Sequence, residues 1–161
     1  MIVQIDSREK KNDHVVKYLD DNNIKWVKSK LIVGDYMSLE NPLVIVDRKA
    51  DLQEVAQNLT QDHDRFRREC ELAKELGIRL IVLVEEEKIN RLDKVVGWFN
   101  YRRKFSPRAV SGKQLHKIME TMSEKYGVEW KFSTKANYGR KLVEILGGCS
   151  SEVELFEGRM F

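Results

Sequence analysis

Residues 31–49 read LIVGDYMSLENPLVIVDRK. Two β-type runs, residues 31–39 and 43–46, lie on either side of Glu40-Asn41-Pro42, which is a turn signal. The stretch therefore predicts a β-hairpin. Each arm carries an aspartate, and a carboxylate is disfavoured in a strand and costly to bury without a partner. We therefore expect the hairpin to carry a polar site as well as part of a sheet.

The two acids of the hairpin are Asp35 and Asp47. Pairing the arms brings both carboxylates to the same end of the hairpin, because each arm covers a similar length of chain. Side chains alternate along a strand, so Asp47 and Lys49 share one face and Arg48 points to the other. Asp6 is a third acid of this kind, since it ends the first β-type run.

Paired carboxylates form a site for a hard divalent cation such as Mg²⁺, for which Mn²⁺ can substitute. A lysine beside them can orient or help deprotonate an attacking water and offset charge on a phosphate. The hairpin therefore predicts phosphodiester hydrolysis. The alternative is that Asp35 follows Gly34 in a turn and that residues 47–51 are a solvated loop that caps a helix.

The remaining periodicities predict an α/β domain with a mixed central sheet, a β-α-β-β-β-α-β core followed by α-β-α. We expect the second to fourth strands to form an antiparallel meander. We also expect the fifth strand to be central, buried on both faces beside a parallel neighbour. The predicted strands are residues 2–5, 24–28, 31–39, 43–46, 78–84 and 128–132, and the predicted helices are residues 9–22, 51–77 with a bend near Thr60, 111–126 and 135–146; residues 92–101 are ambiguous.

Composition favours one folded domain, because 161 residues with 42% hydrophobic and 34% charged side chains can build a single core. We assign residues 1–149 to it and residues 150–161 to a C-terminal tail. No apolar run approaches the length of a membrane span, and no basic leader opens the sequence. Cys70 and Cys149 lack metal-ligand spacing, which excludes a zinc finger or a disulfide scaffold.

Positive charge is concentrated in residues 98–113, here called the basic segment. It has no acid, whereas the whole chain has a net charge of +3. Interleaved cations and aromatic rings can pair with phosphates and stack on bases, which predicts a DNA-contacting arm. The alternative is aromatic core residues with a solvated rim. The predicted DNA contacts are Arg102, Arg103, Lys104, Arg108 and Lys113.

The order of these motifs resembles the restriction-endonuclease-like PD-(D/E)XK nuclease fold. Ile5-Asp6-Ser7-Arg8-Glu9, Gly34-Asp35-Tyr36 and Val46-Asp47-Arg48-Lys49 are similar to the three-part signature of XPF-type structure-specific nucleases: Asp-x-Arg-Glu, Gly-Asp and Glu-Arg-Lys. Residues 51–85, Ser106-Pro107 and Gly112 resemble the phage and prophage branch of that family.

The resemblance implies a role for each matching residue. Asp35 and Asp47 would bind Mg²⁺ with the backbone carbonyl of Arg48, and Lys49 would be the catalytic lysine. The remaining assignments are Asp6 and Glu9 as supporting acids, Arg8 as an arginine near the scissile phosphate, and the Arg48 side chain as a structural or phosphate contact on the opposite face.

Two positions depart from the family pattern. Asp47 stands where the third motif usually begins with Glu. Gln53 stands where the family tends to have an Asp, so either Asp51 or Glu54 takes that role or the role is absent. The helix-hairpin-helix and helicase domains of many members are not visible in the sequence.

The sequence therefore predicts a metal-dependent DNA endonuclease acting on branched, flapped or junction DNA in the cytoplasm of a bacterium or a phage-infected cell. DNA is the expected partner, and a homodimer is left open. The rival enzymes are a Holliday-junction resolvase and a restriction-like nuclease. The rival from another class is a catalytically silent DNA-binding or scaffold domain, against which the intact Asp35, Asp47 and Lys49 argue.

Overall fold

A mixed sheet of six strands, in the order β2-β1-β3-β4-β5-β6, forms the centre of the part of the chain that is described. The computed structural model describes residues 1–147. The strands are β1 Ile2–Ile5, β2 Lys25–Lys28, β3 Tyr36–Ser38, β4 Asn41–Lys49, β5 Arg79–Glu85 and β6 Glu129–Ser133. The α-helices are α1 Asp13–Asp21, α2 Leu52–Thr60, α3 His63–Glu75, α4 Gly112–Tyr126 and α5 Tyr138–Leu146.

The two faces of the sheet carry separate cores, as the alternation of β5 shows. Leu80, Val82 and Val84 pack with α2, α3 and α4 on one face. Ile81 and Leu83 pack with α1 and α5 on the other face. β5 pairs in parallel with β4 and β6. The prediction of a strand buried on both faces is confirmed, and the mixed α/β class with it.

The predicted hairpin is present, with β3 antiparallel to β4, but its first arm covers only Tyr36–Ser38 of the predicted residues 31–39. Asp35 therefore lies in the bend after Gly34, as the alternative had it, and not inside the strand. The second arm of the hairpin is longer than the apolar run suggests, because β4 continues through Asp47 to Lys49. These two side chains are only 5% and 7% exposed, respectively. The alternative of a solvated loop at residues 47–51 is therefore wrong for residues 47–49, and it holds for Ala50 and Asp51, which are exposed and follow the strand.

The predicted antiparallel meander is wrong in its first strand. β2 pairs in parallel with the outer edge of β1, while β3 occupies the other edge of β1. The connection through α1 explains this result, because a strand-helix-strand unit returns its second strand parallel to the first.

The two N-terminal helical predictions are right in position and wrong in extent. α1 begins at Asp13, four residues late, because Lys11 adopts a left-handed backbone with φ of 58°. The long helix after Asp51 divides at Gln61 and Asp62 into α2 and α3, close to the bend predicted near Thr60. Asp51 is the N-cap, as predicted, and accepts a hydrogen bond from the Glu54 N–H.

The ambiguous stretch contains two 3₁₀ helices, Leu92–Gly97 and Tyr101–Lys104. None of the helices within residues 1–147 is both long enough and apolar enough to cross a membrane. The predicted tail, residues 150–161, lies outside the described residues, so the domain boundary at residue 149 stays a prediction.

Candidate active site

Backbone hydrogen bonds bring the ends of β1, β3 and β4 together. The Asp6 N–H donates to the Asp35 carbonyl at 2.8 Å, and the Asp35 N–H donates to the Val46 carbonyl at 2.9 Å. Asp6, Asp35 and Asp47 therefore lie close together, at the same end of three neighbouring strands. The hairpin predicted the proximity of Asp35 and Asp47, and the pairing of β1 with β3 adds Asp6.

Gly34 sets the backbone just before Asp35. Its φ is +68°, and a Cβ there would lie 2.5 Å from Cγ2 of Ile45. A side chain at this position would therefore be strained and would also clash with β4. The Gly34 N–H donates to Oε1 of Glu69 at 2.8 Å, which connects this turn to α3.

Asp35 is a partly buried acid in a crowded anionic site. Its Oδ2 accepts a hydrogen bond from the Arg48 N–H at 2.7 Å. Burial, together with the negative charges of Asp47 and Glu9, raises the pKa of Asp35 well above its usual value. A bound cation would relieve this unfavourable charge.

Asp47 and Lys49 form a buried ion pair on one face of β4, as alternation predicts. Lys49 Nζ lies 2.8 Å from Asp47 Oδ2 and 5.4 Å from the centre of the Phe66 ring. Burial disfavours the charged lysine, but the Asp47 carboxylate outweighs it and raises the pKa of Lys49. Lys49 is therefore a buried ammonium group beside the paired acids.

Arg48 points to the opposite face, as alternation also predicts. Its Nε donates to Oε1 of Glu85 at 2.9 Å, and its Nη1 lies 3.6 Å from Oε1 of Glu9. Its guanidinium lies 5.8 Å from the centre of the Tyr138 ring. These contacts give its side chain a structural role that joins β4 to β5, α5 and the loop after β1.

Asp6 holds Arg8 in a fixed position. The Arg8 guanidinium donates to both Asp6 oxygens, with Nη2 to Oδ2 at 2.6 Å. Burial opposes ionisation of Asp6, but these bonds keep its pKa below its usual value. The Arg8 side chain is 60% exposed, so part of its donor set faces solvent.

Glu9 lies between the acids and Arg48. Burial raises the pKa of Glu9, and the positive charge of Arg48 opposes this effect. Together these groups line a cleft of about 1010 Å³, here called the acidic cleft. All the site residues predicted from the three motifs line it: Asp6, Arg8, Glu9, Asp35, Asp47, Arg48 and Lys49.

Glu69 also lines the acidic cleft, and sequence reasoning missed it. Burial, with the charge of Asp47, raises the pKa of Glu69. The sequence feature that could have identified Glu69 is its place in the helix, next to the buried Cys70 and three residues after the buried Phe66. An acid at that place on a helix faces inward, but the contact partner on the hairpin cannot be read from periodicity.

The structure also shows what occupies the positions around Gln53. Asp51 caps α2, and Glu54 Oε2 accepts a hydrogen bond from the Ala50 N–H at 2.7 Å. Both acids therefore accept backbone hydrogen bonds at the N-terminus of α2. Gln53 Nε2 donates instead to Oδ1 of Asn100 at 2.7 Å, so this residue connects α2 to the basic segment.

The donor set fits a hard cation that keeps most of its water. Asp47 Oδ2 is buried, and within residues 1–147 its close polar contact is the ion pair with Lys49 Nζ at 2.8 Å. Among these residues no cluster of three or more His, Cys, Asp or Glu has metal-binding geometry. Two carboxylates with several waters are sufficient for Mg²⁺. The residues present therefore fit Mg²⁺ better than a closed, all-protein metal site.

The basic segment lies elsewhere on the surface. Phe99, Tyr101 and Phe105 are exposed, so the alternative that the aromatic rings form core is wrong for these three. It holds in part for Trp98, which is partly buried and packs against the core. Lys104 Nζ lies 4.9 Å from the centre of the Tyr101 ring. None of the five predicted DNA-contacting cations lines the acidic cleft.

Comparison with known proteins supports the fold. The model of the ERCC4 domain family matches residues 5–142. XPF from Aeropyrum pernix superimposes with a TM-score of 0.65 at 19% identity, over 97% of this chain and 70% of that one. XPF from Aeropyrum pernix in complex with DNA gives 0.65 at 18% identity, over 90% and 62%. No curated protein matches the sequence significantly. The resemblance drawn from the motifs is confirmed for the family and the fold.

Proposed function

This chain belongs to the ERCC4 domain family, and on that premise we propose that it is a metal-dependent DNA endonuclease. Its reaction would be the hydrolysis of phosphodiester bonds in branched, flapped or junction DNA. The observation that carries this proposal is the buried Asp47–Lys49 pair beside Asp35 in one open cleft. The charges of Asp47 and Glu9 disfavour ionised Asp35 in this cleft, and a purely structural cluster would have no need of such repulsion.

Asp35 and Asp47 would hold Mg²⁺, or Mn²⁺ in its place. The Arg48 carbonyl would be the third protein ligand. The N–H and C=O of one residue in a strand point to the same side, and the Arg48 N–H points to Asp35. When bound, the metal polarises the phosphate and lowers the pKa of a coordinated water.

Lys49 and Arg8 would act on the phosphate. The Lys49 ammonium is fixed by Asp47 and by packing on Phe66, so it can offset negative charge that grows on the attacked phosphate. Arg8 is fixed by Asp6 and retains donors that face the cleft. Groups held in place in this way need little reorganisation during the reaction.

DNA is the proposed partner. One similar structure is of an XPF in complex with DNA, and the exposed cations and rings of the basic segment suit phosphates and bases. Assignment to a phage or prophage branch, a homodimer and a cytoplasmic site of action stay predictions from the sequence.

The test is a cleavage panel with labelled flap, fork, four-way and linear duplex DNA, with and without Mg²⁺. We expect cleavage of the flap or fork in preference to the linear duplex. The Asp35→Asn protein is the control for contaminating nuclease. A preference for four-way DNA would favour the resolvase, sequence-specific cutting of linear DNA the restriction-like enzyme, and binding without cleavage the silent domain.

A further inference from the structure

A second cleft, of about 970 Å³, lies on the other face of α3 from the acidic cleft. Its walls are the start of α3, the length of α4 and the basic segment. We call it the basic cleft, because its lining contains several cations and no Asp or Glu. These cations are Arg67, Arg102, Arg108, Lys117 and Lys125.

The charge of the basic cleft is largely uncompensated. Within residues 1–147, no acidic side chain pairs with Arg102, Arg108, Lys117 or Lys125. Arg67 pairs with Asp64 at 3.6 Å and with Glu71 at 3.5 Å, both on its own helix. Like charges gathered in one concave surface raise the local concentration of an anionic ligand.

The floor of the basic cleft is apolar. Val110, Ile118 and Tyr126 line it and are partly buried. A cationic rim above an apolar and aromatic floor is typical of sites for single-stranded nucleic acid, where phosphates meet the rim and bases meet the floor. A duplex keeps its bases stacked inside and has none to place on the floor, so we expect it to bind outside this cleft.

We propose that the basic cleft binds a single-stranded arm of the DNA substrate. The inference rests on the proposed function in one respect: both clefts would then act on one branched molecule, with the strand to be cut in the acidic cleft. α3 separates the two clefts by about one helix diameter, some 10–12 Å, with Phe66 and Glu69 on one side and Arg67 on the other. A branch point over α3 would place the two arms in different clefts.

The experiment measures DNA binding without divalent metal, so that no cleavage takes place. The test variant combines Arg67→Ala, Lys117→Ala and Lys125→Ala, none of which lies in the basic segment. Fluorescence anisotropy compares an oligo-dT of about 12 nucleotides with a hairpin duplex. The matched control combines Lys25→Ala, Lys28→Ala and Arg140→Ala, which removes the same charge from exposed positions on β2 and α5.

We expect the test variant to bind oligo-dT about tenfold more weakly, with a salt slope lower by about two units, because each lost phosphate contact on a single strand removes about 0.7. The control variant should bind oligo-dT like the wild type, and the test variant should bind the duplex within about twofold of the wild type. Thermal melting of both variants shows whether they fold. Equal losses on oligo-dT and duplex, or equal losses in test and control variants, would overturn the basic cleft as a single-strand site.

The two proposals fail in different ways. A wild-type protein that binds oligo-dT through the basic cleft but cuts no DNA with Mg²⁺ would overturn the proposed function alone. A wild-type protein that cuts flaps while the test variant binds oligo-dT normally would overturn the basic cleft alone.

Discussion

At the scale of single residues, Asp35 and Asp47 have different structural roles. Asp47 is the ion-pair partner of the buried Lys49. Within residues 1–147 Asp35 has no ion-pair partner: its Oδ2 accepts the Arg48 N–H, and burial together with nearby carboxylates raises its pKa. The same charge is therefore stabilising in one acid and destabilising in the other when no metal is bound.

This difference predicts opposite effects of two isosteric changes on stability. Asp47→Asn should lower the free energy of unfolding by about 1–3 kcal/mol, because it leaves a buried ammonium poorly satisfied. Asp35→Asn should leave it unchanged or raise it, because the amide oxygen still accepts the Arg48 N–H and one repulsive charge is lost. Urea unfolding in EDTA measures both.

The pH dependence of the free energy of unfolding provides a control for the predicted effect of Asp35→Asn. Folding raises the pKa of Asp35, so protonation of Asp35 favours the folded state. Any stability gained by Asp35→Asn at neutral pH should therefore fade as the pH falls towards that pKa, where the wild-type carboxyl is already neutral. A loss of stability in Asp35→Asn as large as in Asp47→Asn would contradict the assignment.

Lys49→Met should separate chemistry from binding. The methionine can pack on Phe66 in place of the lysine stem but carries no charge, so cleavage should fall by at least about 100-fold. DNA affinity, measured by anisotropy in Ca²⁺, should stay within a few fold. A variant that lost DNA binding instead would make Lys49 a phosphate contact.

At the scale of elements, the buried side chain of Asn100 connects the basic segment to α2. Asn100 is 3% exposed. It accepts hydrogen bonds from Gln53 Nε2 and the Arg102 N–H and donates to the Val110 carbonyl. The segment is therefore anchored at a fixed place relative to α2, whose N-cap lies two residues after Lys49.

An anchored segment that tracks a phosphate backbone has a measurable salt dependence. Replacing Arg102, Arg103 and Lys104 with Ala should lower the slope of log affinity against log salt by roughly two to three units, because each phosphate contact contributes about 0.7–0.9. Affinity should fall for flap and linear DNA alike. The Lys25, Lys28 and Arg140 variant is the matched control, and superimposable slopes for all three proteins would place the DNA elsewhere.

Local patterns in the sequence identified the elements more reliably than the pairing of their strands. Periodicity located β5, the hairpin and the side-chain faces of β4, because these depend on neighbours in the sequence. It did not place β2 at the outer edge of β1, since that depends on the path through α1. Nor could it show that Gln53 reaches Asn100, a contact between residues 47 positions apart in the chain.

At the scale of the whole molecule, the order of the strands in the sheet brings the three motifs together. Because β3 lies between β1 and β4, the loop after β1 is brought beside the ends of the hairpin. α3 then packs across that end, adding Glu69 to the acidic cleft and Arg67 to the basic cleft. The three motifs, although far apart in the sequence, are thus parts of a single surface next to a cationic one.

In the proposed mechanism, Asp35 and Asp47 act through a bound divalent cation. The most direct measurement is the initial rate of cleavage of a labelled flap across a Mg²⁺ titration, for the wild type and for Asp35→Asn. We expect no cleavage in EDTA, recovery when Mg²⁺ exceeds the chelator, and a rate at least about 100-fold lower in Asp35→Asn. Cleavage that persists in excess EDTA, or a near-wild-type rate in Asp35→Asn, would contradict it.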